Sequence, residues 1–160
     1  MLVYFEGHDY HFECENLCRV FYPYSRVQRV DSAEQLEAEQ DTPDRDRLSL
    51  FAAGKEQPQG FCYTVYIRGG DRAVTVEETS REKSEYTLVS LVFRLFREPT
   101  GYTPHWGLPT GIHPAKLLRA YIESAGAERA LDILRNRLFV QAQELALARE
   151  TLHVQQPFPG

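Results

Sequence analysis

The sequence predicts an α+β fold: a mainly antiparallel sheet of about four or five strands with two helices packed on it, followed by an all-helical extension. Three observations carry this. Runs rich in β-branched and aromatic residues are confined to the first 80 positions. Two stretches in the first hundred residues, near 10–22 and 82–97, place apolar residues at helical spacing. Beyond residue 101 only the helical period remains. Residues 1–100 therefore read as an α+β domain, and 101–156 as a connecting loop and helical extension.

Composition bounds the function. With 160 residues, 42% hydrophobic and 26% charged, the chain has the balance of a globular domain and not of a disordered one. Its net charge of −5 argues against a general nucleic-acid binder, which needs excess Lys and Arg against phosphates. Three unevenly spaced cysteines make no disulfide framework and suit reduced thiols. The opening residues do not read as a signal peptide, and no run approaches the roughly 18 apolar residues of a membrane span. A cytoplasmic protein with no membrane partner is expected.

The elements follow in order. Leu2-Val3-Tyr4-Phe5-Glu6 suits a short opening strand. Asp9 is a candidate N-cap for a helix whose stripe is Tyr10, Cys14, Leu17, Cys18 and Phe21, stopped by Pro23. Residues 26–30 form a weak strand. Residues 31–46 hold seven acids and one base, and read as a solvated linker with room for a short helical turn. This segment alone exceeds the whole net charge, so the rest of the chain is close to neutral. Residues 47–53 read as a strand, and 60–78 as a hairpin turning at Gly69-Gly70. Leu88, Leu91, Val92, Leu95 and Phe96 line a helix that Pro99 and Gly101 should end. Helices near 116–123, 127–135 and 138–152 follow, the first opened by Pro114 and closed by Gly126. No internal repeat or low-complexity tract is present.

Two constellations could carry chemistry. His8, His11, Cys14 and Cys18 fall within about 120° of one face if all four lie on a single helix. A soft metal could be held there, but four ligands on one helix cannot wrap a tetrahedron, and cysteines beside Tyr10, Leu17 and Phe21 equally suit a core. The pair also matches the first spacing of a Cys-x3-Cys-x2-Cys cluster motif, whose third position is occupied by Phe21. Cys62, in an apolar strand, reads as an inert thiol, and no Gly-x-Ser-x-Gly elbow or Gly-x-Gly-x-x-Gly loop is present.

The second constellation is the segment 101–118, with three prolines and three glycines feeding a helix. Trp106 offers a flat apolar face there. His113, Lys116 and Arg119, near a helix N-terminus, could hold an anion. Equally, the segment could be a packed connection that docks the helical extension.

The stretch Trp106-Gly107-Leu108-Pro109-Thr110-Gly111-Ile112-His113-Pro114-Ala115-Lys116-Leu117 resembles the Trp-Gly-x-Leu-Thr-Gly-x-Arg-Pro-x-Lys-Leu signature of HemZ-type coproporphyrinogen dehydrogenases. These are radical S-adenosylmethionine proteins, related to oxygen-independent coproporphyrinogen III oxidase. The upstream helix ending at Thr100-Gly101 is similar too, as is the downstream helix pair, with Arg137-Leu138-Phe139-Val140 opening its second member. The likeness is specific over about residues 85–152. Two positions depart from it: Pro109 stands for the usual Leu and His113 for the usual Arg, which removes a permanent charge.

The resemblance implies a non-catalytic N-terminal accessory region, whose partner is the parent's own radical S-adenosylmethionine barrel. The cluster-binding cysteines, a [4Fe–4S] cluster and S-adenosylmethionine belong to that barrel, and the chain reads as a piece ending at the domain junction. The parent reaction would be oxidative decarboxylation of coproporphyrinogen III propionates in haem biosynthesis, with Trp106, His113, Lys116 and Arg119 as candidate contacts to the tetrapyrrole. A free-standing module for a protein or RNA partner is the alternative, and a small metal-binding regulator a third reading.

Overall fold

A computed structural model describes residues 1–40, 47–70, 72–104, 107 and 114–155. The chain divides into two compact units, Met1–Tyr102 and Thr103–Gly160.

The first unit is α+β. Strands β1 (Leu2–Glu6), β2 (Gln28–Arg29), β3 (Ser49–Gln57), β4 (Gly60–Gly69) and β5 (Arg72–Ser80) form a sheet in the order β2-β1-β3-β4-β5. The sheet is mixed. β3, β4 and β5 form an antiparallel meander, whereas β1 runs parallel to both β2 and β3. Helix α1 (His11–Phe21) makes this possible, because it carries the chain back to the end of the sheet from which β1 started. A further hairpin, turning at Pro58-Gln59, joins β3 to β4.

The period of two sorts each strand onto two faces. Val3 pairs with Leu50 and Leu50 with Ile67, while Phe5 pairs with Ala52 and Ala52 with Val65. All six are buried and share a face with Tyr63, which is fully buried. On this face lie α1 and α3 (Glu85–Thr100), as expected for the two helices. α1 contributes Cys14, Leu17, Cys18 and Phe21, and α3 contributes Leu88, Val92, Phe93 and Phe96. Phe21 locks the two helices, edge-on to Phe93 at 5.3 Å and tilted against Phe96 at 5.5 Å. Ser84 caps α3 by accepting the Thr87 N–H, and its own N–H donates to the Tyr63 hydroxyl at 2.8 Å.

Three expectations need correction here. Asp9 is exposed, and the N-cap of α1 is Tyr10, with no side-chain cap; the Tyr10 N–H donates to His8 Nδ1 at 3.0 Å, which holds the turn that leads into the helix. The acidic segment is helical over Ala33–Gln40, helix α2, and residues 41–46 lie outside the described residues. The missed signal was Ser32-x-x-Gln35. The Ser32 hydroxyl accepts the Gln35 N–H, and the Gln35 carbonyl reaches back to the Asp31 N–H. Leu36 then anchors α2 on the second face of the sheet, with Leu2 and Val30. Finally, α3 runs one residue past Pro99, ending where the Gly101 N–H reaches the Arg97 carbonyl at 3.0 Å.

The second unit is helical. It contains α4 (Pro114–Ala125), α5 (Ala127–Asp132) running into one π-helical turn (Ile133–Arg137), and α6 (Ala142–Gln155). Leu118, Leu134, Val140, Leu145 and Ala148 form its core. α6 starts four residues later than its periodicity suggests. Phe139 takes φ +61°, the left-handed region that interrupts a helix, while the Val140 N–H reaches back to the Leu134 carbonyl. Among the described residues no helix is long and apolar enough to cross a membrane.

Candidate functional site

The structure divides the residues singled out from sequence. His8 and His11 come together: their rings meet edge to face at 5.0 Å, and His11 stacks on Phe5 at 5.1 Å. Cys14 and Cys18 do not join them. α1 begins only at His11, so His8 is not on the helix, and both cysteines point into the core with no exposure. Burial raises both thiols, Cys18 up to about 12 and Cys14 further. Neither supplies a thiolate at neutral pH.

The two histidines border a cleft of about 380 Å³, floored by Phe5, Phe61 and Tyr63 and rimmed by Asp9, Tyr10 and Lys83. Lys83 Nζ lies 5.8 Å from the centre of the Phe61 ring. His8 is the keystone of this corner. Its Nδ1 accepts the Tyr10 N–H, which leaves the proton on Nε2, 3.0 Å from the Ala52 carbonyl. Both ring nitrogens are thus spent on the backbone, one on the turn into α1 and one on β3. His8 is a structural histidine, with no lone pair left for a metal or a substrate proton.

A second proton on His8 would have to go on Nδ1, against the Tyr10 N–H. Burial lowers the His8 pKa, with His11 acting in the same direction; the Ala52 carbonyl, Asp9 and Glu13 oppose this without reversing it. A histidine depressed in the folded state binds protons more readily when unfolded. Its contribution is complete above the ordinary value of about 6.5 and drains away as the pH falls from there to the folded value. Urea midpoints should therefore fall between pH 7 and pH 5, and His8→Gln should flatten that dependence. Equal slopes for the two proteins would refute this assignment.

On the opposite face of the sheet, α2 and strands β3, β4 and β5 border about 510 Å³, lined by Leu36, Phe51, Tyr66, Thr64, Thr75, Arg68, Glu37 and Ala33. Phe51 and Tyr66 are cross-strand neighbours, and Tyr4 stacks on Phe51 at 5.5 Å. No sequence reading picked out this row; its signal was Tyr4, Phe51 and Tyr66 falling on one face once the strands are registered.

Of the residues expected at the loop, Trp106 and His113 lie outside the described residues. Lys116 and Arg119 are both exposed on α4, on either side of Leu118, which is fully buried. Pro114 is the first residue of α4, where its missing N–H has no helical partner to lose. Gly107 has φ +60° and lies against the turn after the π-helical segment. A Cβ there would sit 2.0 Å from the Leu138 carbonyl oxygen.

The three thiols do not suit a [4Fe–4S] cluster. Cys14 and Cys18 are sealed in the core between α1 and the first face, and the alternation of β4 sends Cys62 to the second face. Among the described residues no group of three or more His, Cys, Asp or Glu side chains could hold a metal ion. The chain matches no protein-family model, no curated protein and no solved structure.

Proposed function

We propose that this chain is the N-terminal accessory region of a cytoplasmic radical S-adenosylmethionine enzyme of coproporphyrinogen dehydrogenase type. One observation carries the reading. The two stretches on which the resemblance rests, the Trp-Gly segment from 106 to 117 and the turn at 137–140, meet at Gly107, where only a glycine fits against Leu138 and Phe139. The signature's glycine and its distant partner turn are thus explained by one contact. The catalytic cysteines, the cluster and S-adenosylmethionine belong to a barrel beyond residue 160. This region shapes the mouth of that barrel, and Lys116 and Arg119 offer cations to substrate propionates at the rim.

Exposed ion pairs contribute roughly 0.2–1 kcal/mol each. Lys116→Ala with Arg119→Ala in the whole enzyme should therefore raise KM for coproporphyrinogen III by about two- to thirtyfold and leave kcat unchanged. The 160-residue chain alone should bind coproporphyrinogen III weakly or not at all in an anaerobic titration. Tight binding by the chain alone, abolished by the double substitution, would move the substrate site into this region and overturn the assignment.

The aromatic row Tyr4–Phe51–Tyr66 favours a second reading, a free-standing binding module. The cleft beside it holds one acid, Glu37, and one base, Arg68, and so lacks the excess of cations an RNA ligand needs; a protein partner suits it better.

A further inference from the structure

Among the described residues β5 ends the sheet, and it does so as a regular edge. Nine of its residues pair in unbroken register with β4, with no bulge and no proline. The other edge, β2, is two residues long. Long, regular edges are templates for another strand, and proteins normally shorten, bend or cover them.

The hydrogen-bond phase of this edge can be worked out. The Leu2 N–H donates to the Leu48 carbonyl, so residues 48 and 50 point their backbone groups at β1, and Ser49 and Phe51 point theirs at β4. Phe51 pairs with Tyr66, so Val65 and Ile67 point toward β5, where they meet Val76 and Val74. The even-numbered residues of β5 are therefore spent on β4. Ala73, Thr75 and Glu77 direct both N–H and C=O away from the sheet.

We propose that β5 pairs antiparallel with β5 of a second copy, about a two-fold axis at Thr75. The side chains argue for this register. It sets Arg72 opposite Glu78 at both ends and Val74 opposite Val76 on both sides of the axis, all on one face. Val74 is half exposed in the single chain, and in the pair it gains an apolar neighbour. Other registers lose this match. Centring on Val76 or Glu77 sets Glu78 against a valine, and centring on Val74 sets Arg72 against one. On the other face Thr75 meets its own copy and Ala73 meets Glu77. Glu78 also holds Arg94 at 2.7 Å, an exposed pair that leaves the carboxylate's second oxygen for Arg72.

Sedimentation of the 160-residue chain over a range from low micromolar to near-millimolar tests this. The mass should rise from that of a monomer toward twice that value. Thr75→Pro should stay monomeric with unchanged circular dichroism, because the Thr75 N–H takes no part in the β4 ladder and proline is tolerated at such edge positions. Arg72→Glu and Glu78→Arg place like charges opposite each other in their own dimers, so each alone should be monomeric. Their equimolar mixture should regain the dimer, since every facing pair is then opposite in sign. The proposal fails if the wild-type chain is monomeric throughout, as it would be if the edge instead receives a strand from a different protein. It fails equally if the mixture associates no better than its components.

Discussion

Gly107→Ala will unfold the helical unit and leave the α+β unit standing. The added Cβ would lie 2.0 Å from the Leu138 carbonyl oxygen, with the Phe139 carbonyl carbon and oxygen at 2.6 and 2.7 Å. All three are backbone atoms, so no side chain can turn aside. The φ of +60° adds the cost of a left-handed residue, about 1–2 kcal/mol. The turn is already held in an unfavourable state, because Phe139 takes φ +61° without being a glycine. Strain with no way to relax costs about 3 kcal/mol or more, a large share of the stability of a small helical unit. Hydrogen exchange is the suitable readout. Amides of α4 and α6 should lose protection in the variant, while those of β3 and β4 keep theirs. A variant with wild-type protection in α4 would mean that the 107–139 contact does not hold the unit together.

Gly7→Ala should have a comparable effect on the first unit. Gly7 has φ +72°, and its Cβ would come 1.9 Å from the Gly54 carbonyl oxygen. This is where the chain leaves β1 beside β3, and the backbones touch because both positions lack side chains. Separating them pulls on His8, whose Nε2–H is tied to Ala52 on the same strand. The loss should again be about 3 kcal/mol or more, read as a fall in melting temperature of more than about 10 °C for a unit of this size. The fall in stability on acidification should shrink with it, because the histidine is no longer held. A shift of only a degree or two would show that the close approach relaxes cheaply.

What could be read from the sequence was what local chemistry decides. The hairpin at Gly69-Gly70, the stripe of α1 and the face of α3 each announce themselves through a period and a stop. The parallel pairing of β1 does not, because it depends on where α1 delivers the chain and not on any residue in the strand. α2 was hidden by its own charge. Read as an acidic run it is a linker; read as Ser32-x-x-Gln35 with Leu36 to bury, it is a capped helix. The spacing of His8, His11, Cys14 and Cys18 makes one cluster only on a helix that includes residue 8. Starting the helix at residue 11 separates it into a backbone clamp and two core thiols. Lys116 and Arg119 fall on a helix, as the sequence predicts, and both are exposed there.

The most direct test of the central proposal is the nucleotide sequence of the gene beyond the codon for Gly160. The account predicts an open frame that reaches Cys-x3-Cys-x2-Cys within a few tens of residues. A stop codon with no such motif would contradict it, and a free-standing binding module would then become the leading reading.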